Sequence, residues 1–418
     1  MVEKRIPIPI SAAIEKILQE IQPASAEMVP LSEAYGRILA EPIIAKHDVP
    51  PFDRSAYDGF AIHSSDSVGA SDEHHVSFHV IDEVGAGYIS KKTLAPGEAI
   101  RIMTGAMMPK DADAVVMLEQ VIEKEDHISI YKSFGMNENV SPKGEDARKD
   151  ERLIEEGAVI TPGVIALLAT FGYAHVKVAK KPVVGILSTG TELLEVEDDL
   201  VPGKIRNSNG PMIEAQLKRM GIENHTYGIQ ADNLKQSLQT VERAIKETDC
   251  LITTGGVSVG DFDFMPVIYS HLGANVLFNK VAIRPGSVTT VAVNNGKYLF
   301  GLSGNPSACY SGFELFVRPT LLKMMGSCKP FMPNVKAALA EDFLDANPFT
   351  RFIRATYEVT SSGLSATPAG FNKSNAVTSI ARGNAFIVLP GGKKGWKAGD
   401  EVDLLLLGVE EGASRWML

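Results

Sequence analysis

Apolar residues recur at helical spacing near the start of the chain, where Ile14, Ile17, Leu18 and Ile21 follow Ser11, a good N-cap. The pattern predicts a helix from Ser11 and a second from Ser32 to about Ala40. From about 47 to 140 the texture changes to short alternating stretches between Gly and Pro turns, as in HVSFHVIDEVGAG and HISIYKSFG. This predicts a β-rich domain at 47–139, inserted between two parts, 1–46 and 140–180, of a helical and extended scaffold domain. Within the second part, Thr161 as N-cap and Pro162 at the first helical position open a helix through Phe171, stopped by Gly172. From 182 to 326 apolar strands alternate with amphipathic helices, one carrying Leu234, Leu238, Val241 and Ile245 on a single face. That alternation predicts a parallel α/β domain at 181–327. Pro330 and Pro333 mark a linker, and short strands with turns at Gly391, Gly392 and Gly399 predict a small β-barrel at 328–418. The expected fold class is multidomain α/β, with an inserted β-rich domain and a C-terminal barrel.

Three loops inside the α/β block share one design. CLITTGGVSVGDFD (250–263) runs from an apolar strand into Gly255 and Gly256 and then to Asp261 and Asp263. Paired glycines let backbone N–H groups close on an anion, because no Cβ blocks the approach or forbids positive φ. The two carboxylates are hard oxygen ligands suited to magnesium bridging to phosphate. VVGILSTGTELLE (183–195) leads through Gly190 to Glu192, and KYLFGLSGNPSACYSGFELF (297–316) leads through Ser303, Gly304 and Asn305 into a helix opened by Pro306. Ligands bind beyond the carboxyl ends of strands in open α/β sheets, so the three loops are expected to converge on one phosphate-bearing ligand.

Composition narrows the setting. A length of 418 residues with 44% hydrophobic content suits several domains with sizeable cores, and a net charge of −10 argues against a general nucleic-acid surface. Cys250, Cys309 and Cys328 show neither metal-ligand spacing nor a pairing pattern, which suits a reducing cytoplasm. No apolar run approaches the ~18 residues of a spanning helix, and Pro7 and Pro9 fall where a signal peptide needs an apolar core. The expectation is a cytoplasmic protein without membrane or nucleic-acid partners. His74, His75 and His79 read as exposed strand histidines.

The segments TGTEL, TGGVSVGDFD and GLSGNPSA, with NSNGPMIEAQL (207–217) and KVAIRPG (280–286) between them, resemble the pterin-binding domain of the molybdopterin molybdenumtransferases. Upstream, PPFDRSAYDGFAI (50–62), IMTGAMMPKDADAVVMLE (102–119) and GED (144–146) match the same family in the same order, so the resemblance spans roughly residues 6–410. The family includes the C-terminal half of gephyrin. It takes adenylylated molybdopterin and molybdate, releases AMP and leaves molybdenum on the dithiolene. The resemblance therefore implies a magnesium-dependent homodimeric enzyme standing between an upstream adenylyltransferase and downstream molybdoenzymes. Two other readings are a molybdopterin adenylyltransferase, which normally needs only the 182–326 block, and a noncatalytic pterin-binding scaffold.

Carried over residue by residue, the resemblance assigns the acidic and metal positions to Glu192, Asp232 and Asp263, with Asp261 either a ligand or a brace of its turn. Asp232 serves equally well as the cap of a helix beginning near Asn233. Pterin and adenylate contacts fall on Gly255, Gly256, Ser258 and Asn305. Molybdate is a tetrahedral dianion that needs cationic and hydroxyl donors. Lys280, Arg284 and Ser303 fit that need, and Arg351 and Ser374 match the family's C-terminal arginine and serine; a solvated strand residue is the other reading of Arg351. Asp53, Ser55, Asp58, Thr104 and Asp146 match positions that reach a partner subunit's site, although turn residues of these types also form Asx-turns. The chain departs from the family's Lys-Pro-Gly-Lys-Pro with Arg284, Pro285, Gly286, Ser287 and Val288, from its Gly-Leu-Pro-Gly-Asn-Pro with Ser303, and from its basic pair before Gly-Glu-Asp with Pro142 and Lys143. Arginine forks onto oxyanions as well as lysine binds them.

Overall fold

The computed structural model describes residues 5–231, 233–256, 265–409, 412, 415 and 416. They form two compact units, one made of Pro42–Glu155 with Leu167–Tyr173 and the other of the remaining described residues.

The first unit is built on a six-stranded sheet ordered Ala114–Met117, Gly59–Ile62, Glu98–Ile102, Val76–Val84, His127–Ile130 and Val121–Lys124. All neighbours are antiparallel except Val76–Val84 beside Glu98–Ile102. Gly59–Ile62 is buried along its whole length, with Phe60 and Ile62 packing on one face and Ala61 on the other. Gly59 has no room for a side chain: a Cβ there would lie 2.0 Å from the Val116 carbonyl oxygen.

The second unit contains a six-stranded sheet ordered Asn224–Gln230, Val184–Thr189, Cys250–Thr254, Lys297–Leu302, Thr290–Asn294 and Asn275–Phe278. The first four strands are parallel, and the last two extend the sheet antiparallel at one edge. Alternation sends Ile186, Ile252 and Phe300 to one face, where they meet Ile213 and Leu217 of the helix Asn209–Arg219 and Ala13 and Ile17 of the helix Ile10–Gln19. Leu187, Leu251 and Leu299 point the other way, onto Val241 and Ala244 of the helix Leu234–Glu247 and onto Ile268. Burying each such side chain contributes about 1.5–3 kcal/mol. Beyond the sheet, Asn334–Leu339, Thr350–Thr360, Gly363–Pro368, Ala385–Leu389 and Glu401–Leu406 close a five-stranded barrel, because Thr350–Thr360 pairs with both Gly363–Pro368 and Ala385–Leu389. Its Phe352 and Phe386 join the same core as Phe313 and Phe316, which seats the barrel against the α/β layers.

Three local expectations change. The first helix starts at Ile10 with Pro9 at the cap, so Ser11 lies inside it; the fixed φ of proline sets the entry where a hydroxyl was expected to. The helix expected from Ser32 to Ala40 is a single 3₁₀ turn, Leu31–Glu33. Gly36 then takes a φ of +71°, and Ile38 and Leu39 are drawn into bridges with Val159 and Val178. At the helix Leu234–Glu247 the cap is Asn233, whose Oδ1 accepts from Gln236 N–H at 3.1 Å. Asp232, read from the sequence equally as this cap or as a metal position, lies outside the described residues. The helix Pro162–Thr170 forms where expected, with Thr161 Oγ1 accepting from Val164 N–H at 3.4 Å and Gly172 at a φ of +70° beyond its end. Among the described residues no helix is long and apolar enough to cross a membrane.

Gly59→Ala should destabilise the β-rich unit by roughly 1–3 kcal/mol, since the new methyl must displace the Val116 carbonyl from a packed sheet. Urea unfolding of the variant measures this, and an unchanged midpoint refutes it.

Candidate functional site

The carboxyl ends of the parallel strands open into a cleft of about 600 Å³. Thr189, Gly190 and Glu192 line it from the end of Val184–Thr189, Thr254, Gly255 and Gly256 from the end of Cys250–Thr254, and Ser303, Gly304 and Asn305 from the end of Lys297–Leu302. The three loops therefore converge as expected. What lets them do so is the absence of side chains. Gly255 and Gly256 sit at φ of +87° and +62°, and a Cβ on Gly255 would lie 2.2 Å from the Thr189 carbonyl oxygen. Gly304 approaches the same spot, its own Cβ position being 3.5 Å from the Gly255 Cα.

Two asparagines that were not singled out in the sequence brace this floor. Asn209 Nδ2 donates to Thr254 Oγ1 at 2.7 Å and to the Gly304 carbonyl at 2.8 Å, tying two of the loops to the first turn of the helix Asn209–Arg219. Asn207 Nδ2 donates to Ser188 Oγ at 3.0 Å while its Oδ1 accepts from Gly210 N–H at 3.1 Å. Both line the cleft and both are buried. The only sequence signal was their place in NSNGPMIEAQL, just ahead of an apolar helical pattern. Asn305 caps the helix Pro306–Gly312 by position, without a side-chain cap bond, and its N–H donates to Ser303 Oγ at 3.2 Å.

The basic residues divide. Arg284 lines the cleft, donates from Nη1 to Ser287 Oγ at 3.2 Å and lies 5.6 Å from the Phe349 ring centre. Arg351 is its register partner across the short parallel pairing of Ile283–Arg284 with the barrel. It turns away from the cleft, to Asp345, whose carbonyl it meets at 3.2 Å and whose carboxylate lies 3.6 Å from it, and it stacks 4.8 Å from the Phe343 ring centre. Burial, and then the neighbouring charge of Arg284, holds the Arg351 guanidinium below its ordinary pKa against the pull of Asp345. Lys280 is half-buried and is not part of the lining. The expected oxyanion set of Lys280, Arg284, Ser303, Arg351 and Ser374 thus contributes Arg284, Ser303 and Ser374 to the cleft. Ser374 arrives on a barrel loop fastened by Ser307, whose N–H donates to the Ser374 carbonyl at 3.0 Å and whose hydroxyl donates to Ala376 at 2.6 Å. The same loop is held from below by Arg354, a fully buried arginine whose Nη2 donates to the Lys373 carbonyl at 3.2 Å. Burial, with Arg351 nearby, pushes the Arg354 guanidinium down to about 10.

Glu192 is an exposed carboxylate that lines the cleft, as do Thr189, Thr254 and Ser303. Ser258, Asp261 and Asp263, like Asp232, lie outside the described residues. Cys250 and Cys309 are buried, and burial drives the Cys309 thiol up to about 12 and the Cys250 thiol higher still, so neither is a nucleophile at neutral pH.

The remaining predicted residues belong to the β-rich unit. Asp58 and Thr104 meet: the Thr104 backbone N–H and hydroxyl both donate to Asp58 Oδ1, at 2.6 and 2.7 Å, and hold that exposed carboxyl below its ordinary range. Asp53 Oδ1 accepts from Lys143 N–H at 2.7 Å. Asp146 is exposed, with its backbone N–H donated to Val49 at 2.9 Å. Ser55 is buried, and its hydroxyl is spent on the Tyr57 carbonyl at 2.5 Å, so it braces the turn instead of facing a ligand. His79 is exposed on its strand and paired with Asp126.

Comparisons with known proteins account for nearly all of this chain. The model of the MoeA N-terminal region (domain I and II) matches residues 8–172, that of a probable molybdopterin binding domain matches 185–323, and that of the MoeA C-terminal region (domain IV) matches 336–407. The chain is 55% identical over 405 residues to a molybdopterin molybdenumtransferase of Staphylococcus epidermidis, covering 97% of each, and 55% identical over 406 residues to one of Staphylococcus aureus, again covering 97% of each. Among solved structures it is similar to the molybdopterin biosynthesis moeA protein of Pyrococcus horikoshii OT3, with a TM-score of 0.84, 32% identity, and coverage of 96% of this chain and 100% of that one.

Two outcomes follow from the geometry. Gly255→Ala should lower thermal stability and widen the cleft floor, since the methyl meets the Thr189 carbonyl and the φ of +87° is strained for alanine; a wild-type melting temperature excludes this. Asp58→Asn should cost stability at pH 7, because a depressed folded pKa stabilises above the unfolded value and that contribution disappears as pH falls through the folded value. Comparing urea midpoints at pH 7 and well below 3.8, the difference between variant and wild type should vanish at the lower pH. A difference independent of pH would remove the titration from the account.

Proposed function

The chain belongs to the molybdopterin molybdenumtransferase family, transferases of molybdenum cofactor biosynthesis, and on that premise we propose that it inserts molybdenum from molybdate into adenylylated molybdopterin with release of AMP. The observation that carries this reading is the convergence of three strand-end loops, Arg284 and Ser374 on one cleft. Its volume of about 600 Å³ is in the range of pockets that enclose a ligand of drug-like size. With the Gly190, Gly255 and Gly210 N–H groups taken by the Gln230 and Leu302 carbonyls and by Asn207, the Gly256 and Gly304 turns supply the uncharged peptide donors for the phosphates, which hold an anion without neutralising it. Arg284 supplies the charge for molybdate, and Ser303 and Ser374 the hydroxyls. Arg351 and Lys280 act at longer range, through field and packing.

The donor set at the cleft fits a hard cation: the carboxylate of Glu192 with threonine and serine hydroxyls, and no thiolate among the lining residues. Glu192, with Asp232, Asp261 and Asp263, would hold magnesium, which when bound offsets the charge that grows on phosphate as the anhydride breaks. Gly255, Gly256, Ser258 and Asn305 keep the adenylate and pterin in register with Arg284. Two chains act as a homodimer in the cytoplasm, and Asp53, Asp58, Thr104 and Asp146 of one protomer complete the site of its partner. An adenylyltransferase supplies the pterin and molybdoenzymes receive the product.

The direct test is to incubate the protein with adenylylated molybdopterin, magnesium and molybdate and to measure AMP. Pterin binding without molybdate-dependent AMP release would make the protein a scaffold. Arg284→Ala should raise the molybdate needed for half-maximal turnover by about ten- to a hundredfold, the equivalent of a charge-assisted hydrogen bond of roughly 1.5–3 kcal/mol. Arg351→Ala should raise it less. Equal effects would reverse the division of labour between the two arginines. Mixing inactive Asp58→Ala and Asp263→Ala chains should restore roughly a quarter of wild-type activity, since about half the dimers are mixed and each carries one intact site. Verified subunit exchange without recovery would place each site within a single chain.

A further inference from the structure

A second cavity in the same unit, of about 220 Å³, is lined by Arg37, Lys181, Arg219 and Arg318 together with apolar residues such as Ile38 and Leu322. The four cations come from separate elements, brought together where the end of Asn209–Arg219 meets the start of Arg318–Met324. Among the described residues their carboxylate partners are two. Glu27 pairs with Arg37, and the buried Glu314 takes Arg219 at 2.5 Å as well as Gln216 at 2.8 Å. Lys181 donates to the Gly221 carbonyl at 2.7 Å, and Arg318 reaches the Pro330 carbonyl only at 3.4 Å. Arg37 Nε is buried with no hydrogen-bond partner among the described residues. Burial lowers the pKa of both Lys181 and Arg318; Arg37 adds to the first shift against the pull of Glu27, and Arg219 adds to the second against the stronger pull of Glu314, so the four cations share these two carboxylates and feel one another. Neighbouring cations held partly out of water with too few carboxylates are stabilised by an added anion.

We propose that this cavity is a binding site for one free tetrahedral oxyanion of the phosphate and sulfate class, held by Arg318, Lys181 and Arg37 and separate from the cleft of Arg284. Size selects the class. At about 220 Å³ the cavity holds a tetrahedral oxyanion with water, and it is smaller than the roughly 300 Å³ at which pockets begin to enclose an organic ligand such as a nucleotide. The arginine forks match paired oxygens, and the lysine adds a point charge. Glu410 and Glu411 follow Val409, which lines the cavity, so the chain's own carboxylates are the competing occupant.

The test is calorimetric titration of the full-length protein with inorganic phosphate at ionic strength fixed by sodium chloride, with sulfate, molybdate and AMP as further arms. Wild type should show saturable binding of phosphate and sulfate that AMP does not displace. Lys181→Met should weaken phosphate at least about tenfold, and Arg318→Met likewise, while Arg284→Ala retains it. If Arg318→Met fails to fold, the half-buried Lys181→Met still decides. Phosphate binding lost in Arg284→Ala and kept in Lys181→Met would assign the anion to the cleft and overturn the proposal. So would no binding in wild type together with its appearance in a Glu410→Gln, Glu411→Gln variant, which would make the chain its own ligand.

Discussion

Backbone packed directly on backbone is the constraint from which the cleft follows. The strand ends at Thr189, Thr254 and Leu302 lie side by side in a parallel sheet, so the middle loop starts one strand spacing from each of the other two. Any side chain on the inner loop would push them apart. Gly255 removes that obstacle by presenting its Cα to the Thr189 carbonyl on one side and to Gly304 on the other. The floor is then made of peptide groups, and a ring of polar side chains, among them Asn207, Asn209, Ser287 and Thr254, locks it. Several of these peptide N–H groups are spent within the floor itself, Gly255 on the Leu302 carbonyl and Gly190 on the Gln230 carbonyl, so the loops are fixed to one another by main chain as well as by side chains.

The parts legible in the sequence are those governed by local rules. Glycine pairs after apolar strands announced the loops, the 3.6-residue spacing of Leu238, Val241 and Ile245 announced a helix packed on the sheet, and closely spaced turn residues after Pro333 announced the barrel. The illegible parts depend on long-range partners. Ile38 and Leu39 have a helix-compatible local sequence, but bridges to Val159 and Val178, far along the chain, outcompete it. Arg351 and Arg284 look equally available in sequence. Which of them faces the cleft depends on Asp345 and Phe343, which no spacing rule places beside Arg351. Asn207 and Asn209 were overlooked for the opposite reason: asparagine before a helix has an ordinary explanation as a cap, and only the bonds to Ser188, Thr254 and Gly304 reveal its second role.

The barrel contributes to the site through its underside as much as through its loop. Phe352 and Phe386 anchor it in the core shared with the helices behind the sheet, while Arg354 spans from the barrel wall to the Lys373 carbonyl next to Ser374. A buried guanidinium bonded to a carbonyl and to the Ser379 hydroxyl, at 3.3 Å, carries its full charge into the neighbourhood of Arg351. The electrostatic character of this edge therefore depends in part on Arg354, which is buried in the barrel and does not line the cleft.

The two-residue pairing of Ile283–Arg284 with Thr350 and Arg351 joins the α/β sheet's turn to the barrel through main-chain register. Register is quantised: a strand slips by whole residues or not at all. The position of Arg284 is consequently a digital property of the junction. Grafting a homologous barrel onto this chain would either reproduce the pairing, or miss it by a residue and present the opposite face of the barrel strand to the arginine.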